Sequence, residues 1–230
     1  LESVLLTALM EAADRVDSTT GVQMAYLKSW APRARNEIRL RVPEVLPRAQ
    51  AGKGSAFMTD AVDAASRLSG DLAYIDPPYN QHKYLGNYHI WETLVLWDKP
   101  EVYGVACKRV DCRERKSDFN SRRSCVGALR DVVEAMDSRY LLVSFSDEGY
   151  VGRDELEECL TVRGHVAVAE FDYPRYVGAQ IGIHNPDGKR VGRVGALRNT
   201  EMLFLAGPSD EAEMIEGIMA ACRELQGSRR

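Results

Sequence analysis

Long apolar runs are missing from this sequence. No stretch approaches the roughly 18 residues that a membrane-spanning helix needs, so no such helix is expected within it. Paired cysteines are missing as well. Cys107, Cys112, Cys125, Cys159 and Cys222 form no C-x-x-C pair, and the 4 histidines are scattered. A zinc site needs closely spaced thiolates or imidazoles. No metal is therefore expected, and the cysteines read as reduced thiols of a cytoplasmic protein. Leu1-Glu2-Ser3-Val4 offers no basic lead-in and no small-residue cleavage site, so no signal peptide is expected there. Repeats and low-complexity tracts are also lacking. With 45% hydrophobic and 28% charged residues, a disordered tail, a collagen-like fibre and a coiled coil are excluded. The 230 residues leave room for one sizeable α/β domain, or a domain with a small subdomain.

The net charge of −4 argues by itself against a nucleic-acid partner, but the charge is unevenly distributed. Between residues 28 and 53, Lys28, Arg33, Arg35, Arg39, Arg41, Arg48 and Lys53 face only Glu37 and Glu44. Between 108 and 123, Lys108, Arg109, Arg113, Arg115, Lys116, Arg122 and Arg123 face Asp111, Glu114 and Asp118. Acids gather instead at Asp154–Glu158 and after Ser209. Two basic patches on an acidic body suit either a polyanion-binding face or ordinary solvated surface.

Apolar spacing predicts an amphipathic helix over residues 1–16, then short helices and loops over the basic, proline-bearing stretch 22–53. Gly52-Lys53-Gly54 lacks a preceding strand and a following G-K-[ST], so it reads as linker. A short strand is expected at Ala56-Phe57-Met58, then a helix through Leu68 and a buried strand at Leu72–Ile75. Further helices are expected over 88–97, 121–136 and 154–160, with His89, Trp91 and Trp97 packing the first of these. Strands are expected over 140–145, 166–171 and 201–205, and a closing helix after Ser209. Asn185-Pro186-Asp187-Gly188 signals a hairpin turn. The expected fold is a doubly wound, mostly parallel α/β sheet with an antiparallel edge hairpin. Two parts are expected, a helical, basic region over residues 1–55 and the α/β domain over 56–230.

Asp76-Pro77-Pro78-Tyr79 follows directly on the Leu72–Ile75 strand. In an open α/β sheet, function gathers at the carboxyl ends of parallel strands. Two prolines forbid both a continued helix and a continued ladder, and they fix the backbone so that carbonyls point in defined directions. One carboxylate, rigid carbonyl acceptors and one aromatic face thus share a small volume. That set suits methylation of an exocyclic amine on a flat base. The amine lone pair is delocalised into the ring. A carboxylate and a carbonyl accepting its two N–H groups would draw the nitrogen toward a tetrahedral, attacking geometry. The ring would stack on a base flipped out of its duplex, worth roughly 1–3 kcal/mol.

The tetrapeptide, its strand and the segments after it, over residues 56–206, resemble the D12 class of DNA adenine N6-methyltransferases. The resemblance implies S-adenosylmethionine as cofactor and DNA as partner, with no membrane partner. It implies that Asp76 and the Pro77 carbonyl bind the target amine, that Pro78 holds the turn and that Tyr79 stacks on the adenine. Asp60, after Thr59, would contact the cofactor with Asp76, unless it is simply a helix N-cap. Leu141–Ser146 resembles the strand backing the site. The polar and aromatic residues 80–88, directly after the motif, would form a lid over cofactor and base, unless they are only a connection. Phosphate contacts are expected from Lys108, Arg109, Arg113, Arg115 and Lys116, with Asn120 at the site's mouth and further basics at Arg175, Lys189 and Arg190. The resemblance also implies a glycine-rich strand-turn-helix for the cofactor, which residues 1–70 do not contain. A longer chain, a partner chain supplying the cofactor-binding half, or an inactive nucleic-acid-binding homologue would each account for that. An RNA base methyltransferase, acting on adenine N6 or guanine N2, is a further alternative.

Overall fold

The computed structural model describes residues 1–27, 29–47, 49–50, 52–174 and 197–227. In chain order the first elements are α1 (Glu2–Asp14), β1 (Thr19–Val22), β2 (Ala25–Tyr26), α2 (Ala61–Arg67), β3 (Ser69–Ile75), α3 (Tyr84–Asn87) and α4 (His89–Leu96). Then come β4 (Val102–Tyr103), β5 (Lys108–Arg109), α5 (Asp111–Glu114), α6 (Cys125–Ala135), β6 (Asp137–Ser146), α7 (Arg153–Leu160), β7 (His165–Pro174), β8 (Arg198–Gly207) and α8 (Ala212–Gly227). Lys28, Arg48, Arg175, Tyr176, the Asn185–Gly188 turn, Lys189 and Arg190 lie outside the described residues. Among the described residues, no helix is long and apolar enough to cross a membrane.

The chain divides into two compact units: Leu1–Phe57 with His82–Lys116, and Met58–Gln81 with Ser117–Arg230. The division differs from the expected one in placing residues 82–116 with the N-terminal segment. Those residues are inserted between β3 and α6, two elements of the second unit. The expected strand at Ala56-Phe57-Met58 does not form. Phe57 and Met58 are exposed, and three residues without a neighbouring strand have no ladder to join.

In the second unit the sheet order is β3-β6-β8-β7. β3 runs parallel to β6, with Ile75 opposite Val143, whereas β6–β8 and β8–β7 are antiparallel. Within this four-stranded sheet one pairing is parallel and two are antiparallel, so the sheet is mixed where a mostly parallel one was expected. The antiparallel β8 lies between β6 and β7, and it reverses both of those pairings. Leu141, Val143 and Phe145 alternate onto one face of β6, where they meet Phe204 and Met202 of β8 and Leu129, Val132 and Val133 of α6. On the other face, α8 sets Ile215 and Met219 against Ala167, Ala169 and Leu205. Helices on both faces bury both sides of the central strands, as an α/β sheet requires.

In the first unit, α1 packs on α4, and Ala8 and Ala12 of α1 are buried. His89 opens α4 and is 1% exposed, and both its ring nitrogens lack a hydrogen-bond partner among the described residues. Burial, then Lys108 and Arg109, hold its pKa below the ordinary histidine value. The unfolded chain therefore takes up a proton that the folded chain resists. Stability is full above the ordinary imidazole pKa and falls as the pH drops from there toward the lowered one. Urea unfolding at pH 7.5 and 5.5 should show a larger loss for the wild type than for His89→Leu. Trp97, by contrast, does not pack its helix. It ends α4 in the left-handed region at φ 49° and is 78% exposed.

Candidate active site

Asp76–Tyr79 begins where the β3–β6 ladder stops, one residue past the Ile75–Val143 pair. Proline has no N–H to continue the ladder, and Pro77 is buried. Asp76 is exposed, while Pro78, Tyr79 and Asn80 are half-buried. The strand thus delivers a carboxylate to solvent at the carboxyl edge of the sheet, with an aromatic ring three residues on.

A second segment holds this turn. The chain leaving β6 folds back on itself, and the Gly149 N–H donates to the Ser146 carbonyl at 2.9 Å. The Tyr150 N–H donates to the Tyr79 carbonyl at 2.8 Å. The Tyr150 hydroxyl donates to Gln81 Oε1 at 2.7 Å. Below it, the Tyr79 ring meets Phe145 edge-on, with centroids 6.1 Å apart and planes at 63°. From the start of α6's approach, Asn120 Nδ2 donates to the Asn80 carbonyl at 2.7 Å. Asn120, expected at a nucleic-acid contact, is thus engaged in holding the backbone after the motif.

The sequence reading missed Gly149, Tyr150, Asn199 and Glu201. The fully buried Ser146 pairs across the ladder with Glu201. Asn199 Nδ2 donates to Ser146 Oγ at 3.1 Å and to Glu201 Oε1 at 2.7 Å. Burial pushes the Glu201 carboxyl above the ordinary range; Asn199 and Ser146 pull it back, and the nearby Asp147 and Asp76 charges push it further up. Asp-Glu-Gly after an apolar strand is a turn signal, so the 146–150 turn was readable. Nothing in the sequence marks Glu201 as sharing an end of the sheet with Asp76.

Asp60 caps α2, its Oδ1 accepting the Val62 N–H at 2.9 Å. In the other unit the basic residues sort by environment. Arg109 is 4% exposed and closed between Asp98, at 2.6 and 2.8 Å, and Asp111, at 3.1–3.2 Å. That corrects its assignment as a phosphate ligand, because a phosphate would have to displace two carboxylates from a buried fork. Arg113 lies over the Tyr103 ring at 3.7 Å, Arg115 is exposed and pairs with Glu92 at 2.8 Å, Lys116 is exposed and Lys108 is half-buried. The expected lid is partly regular. Tyr84–Asn87 is a helical turn, and Lys83 Nζ is bonded to the Cys112 and Arg115 carbonyls at 3.3 and 3.0 Å.

The pattern of D12 class N6 adenine-specific DNA methyltransferases matches residues 3–157. The chain belongs to this family. The D12-class chain is 36% identical over 160 residues to the type II methyltransferase M.FokI of Planomicrobium okeanokoites, covering 70% of this chain and 24% of that protein. It is 30% identical over 175 residues to the modification methylase StsI of Streptococcus sanguinis, covering 75% of this chain and 26% of that one. With the type II methyltransferase M.NlaIII of Neisseria lactamica it shares 28% over 172 residues, 75% of this chain and 50% of that protein. The chain thus spans a quarter to a half of the length of these relatives. No solved structure matches it.

Proposed function

We propose that the protein is a site-specific DNA methyltransferase that transfers a methyl group from S-adenosylmethionine to the N6 amine of adenine. The observation that carries the reading is the braced Asp76-Pro77-Pro78-Tyr79 turn, an exposed carboxylate and an aromatic ring fixed at the end of a parallel strand. In this reading Asp76 and the Pro77 carbonyl accept the two N–H groups of the target amine. Tyr79 stacks on the flipped base, and Pro78 keeps the turn rigid. Asp76 and Asp60 are exposed carboxylates of the same unit, and in this reading they would attract the sulfonium cation of the cofactor. When bound, the cofactor supplies an activated methyl group. The chain's own work is positioning and electrostatics. Its relatives carry the names of modification methylases, which favours a role in a restriction–modification system.

Incubation of the full-length protein with labelled S-adenosylmethionine and duplex DNA, followed by digestion, should yield N6-methyladenine. Preferential labelling of structured RNA in a competition would overturn the DNA reading. Lys108, Arg113, Arg115 and Lys116 are proposed as phosphate contacts. Four such contacts give a slope of log affinity on log salt near about −3.6. Arg113→Ala and Lys116→Ala should each make it shallower by about 0.9. Arg109→Ala should lower the melting temperature and leave the slope unchanged, since its guanidinium neutralises Asp98 and Asp111.

A further inference from the structure

The Asp76–Tyr79 turn is held from the 146–150 segment, and that segment is itself held at its first residue. Ser146 is fully buried at the end of β6. Its Oγ receives Asn199 Nδ2 at 3.1 Å, and the same nitrogen reaches Glu201 Oε1 at 2.7 Å. The next residue, Asp147, donates its N–H to the Thr200 carbonyl at 3.0 Å. From there the turn carries Tyr150 to the Tyr79 carbonyl and to Gln81. Hydrogen bonds at both ends of the 146–150 turn, with the turn's own backbone between them, thus join Glu201 to the backbone of the motif.

We propose that Glu201 is a positioning residue for the Asp76–Tyr79 turn, acting through Asn199, Ser146 and the 146–150 turn in a way that depends on its own protonation. The proposal rests on the reading of Asp76–Tyr79 as the base-handling turn.

One further feature points to two states of this cluster. Asn199 Oδ1 is buried and has no hydrogen-bond partner among the described residues, although its own Nδ2 serves two acceptors. An ionised Glu201 can only accept, which suits the observed orientation. A protonated Glu201 carries an O–H and needs an acceptor. The orphaned Oδ1 becomes that acceptor if the Asn199 amide turns over, and Nδ2 then leaves Ser146 Oγ. Ser146 Oγ, which had accepted from Asn199, must then donate its O–H to Oδ1, so one proton reverses the bond that tethers the turn. Asp76 from the end of β3 and Asp147 from the turn are acidic, Ser146 and Asn199 are neutral donors, and β7 presents Phe171 opposite Glu201. The adjacent pair, Asp172 with Arg198, is closed at 2.7 Å.

The test uses the full-length protein labelled with [15N]tyrosine. The chain contributes 10 tyrosines, and the Tyr150 amide signal is assigned by its loss in Tyr150→Phe. In the wild type this signal should titrate with a midpoint above the ordinary carboxylate range. In Glu201→Gln, which preserves shape and hydrogen bonding, it should stay fixed over the same range. In Glu201→Ala it should move to a new position at every pH. In the methylation assay, kcat should fall on the acid side for the wild type, and this limb should be missing in Glu201→Gln. Glu201→Ala should lose about 10–100-fold in kcat, with DNA affinity within about twofold. An identical titration of Tyr150 in wild type and Glu201→Gln, or an unmoved signal in Glu201→Ala, overturns the proposal. The tyrosine signals decide it even where no methylation is detected, an outcome that counts against the function reading instead.

Discussion

Asp76→Ala should abolish most methyl transfer while leaving the fold intact. The carboxylate is exposed and sits past the end of the ladder, so its removal should change stability by no more than about 0.5 kcal/mol. In the proposed reaction it accepts an N–H from an amine whose lone pair must leave conjugation, and it faces the positive charge that develops on nitrogen. Loss of one such group costs about 10²–10⁴-fold in rate, or roughly 3–5 kcal/mol of barrier. Asp76→Asn should fall between, because an amide oxygen still accepts the N–H but carries no charge. Radiolabel incorporation into DNA and the melting temperature of each variant measure both sides. Equal labelling by Asp76→Ala and wild type would remove Asp76 from the site.

The motif was legible because its chemistry is local. A strand followed by two prolines announces where the ladder stops, and Ile75–Val143 is its last pair. Buried strands were legible for the same reason: the apolar run at 140–145 became the centre of β6. The support of the site was not legible, because it depends on pairing between distant segments. Glu201 lies 125 residues beyond Asp76 (201 − 76), and only the β6–β8 register brings it to the same end of the sheet. Sequence also could not sort the basic residues. Arg109 and Arg113 belong to one basic run, yet the first is locked between two carboxylates and the second lies over a tyrosine ring. The Ala56–Met58 strand failed because propensity without a partner forms no ladder. Identity of the edge residues could not reveal that β8 enters the sheet between β6 and β7.

Gly149→Ala should damage both stability and activity, although it adds only one methyl group. A Cβ at Gly149 would overlap the edge of the Phe145 ring and stand 3.0 Å from the Ser146 carbonyl. The ring cannot simply swing away, since Phe145 is 3% exposed in the core and meets Tyr79 edge-on. Overpacking at such a place costs about 1–3 kcal/mol. The displaced ring or the displaced turn must also move Tyr79, through the ring contact or through the bond from Tyr150. A misplacement near 1 Å is worth up to about 100-fold in rate. Gly127→Ala provides the contrast. That glycine lies inside α6 with nothing among the described residues within 4 Å of a Cβ, so the same change should stabilise by about 0.5–1 kcal/mol. Phe145→Leu should recover part of the Gly149→Ala loss by returning volume beside the turn, so that the two changes together destabilise less than their sum. Strict additivity would mean that the methyl is accommodated elsewhere and that the Phe145 ring does not transmit its effect to Tyr79.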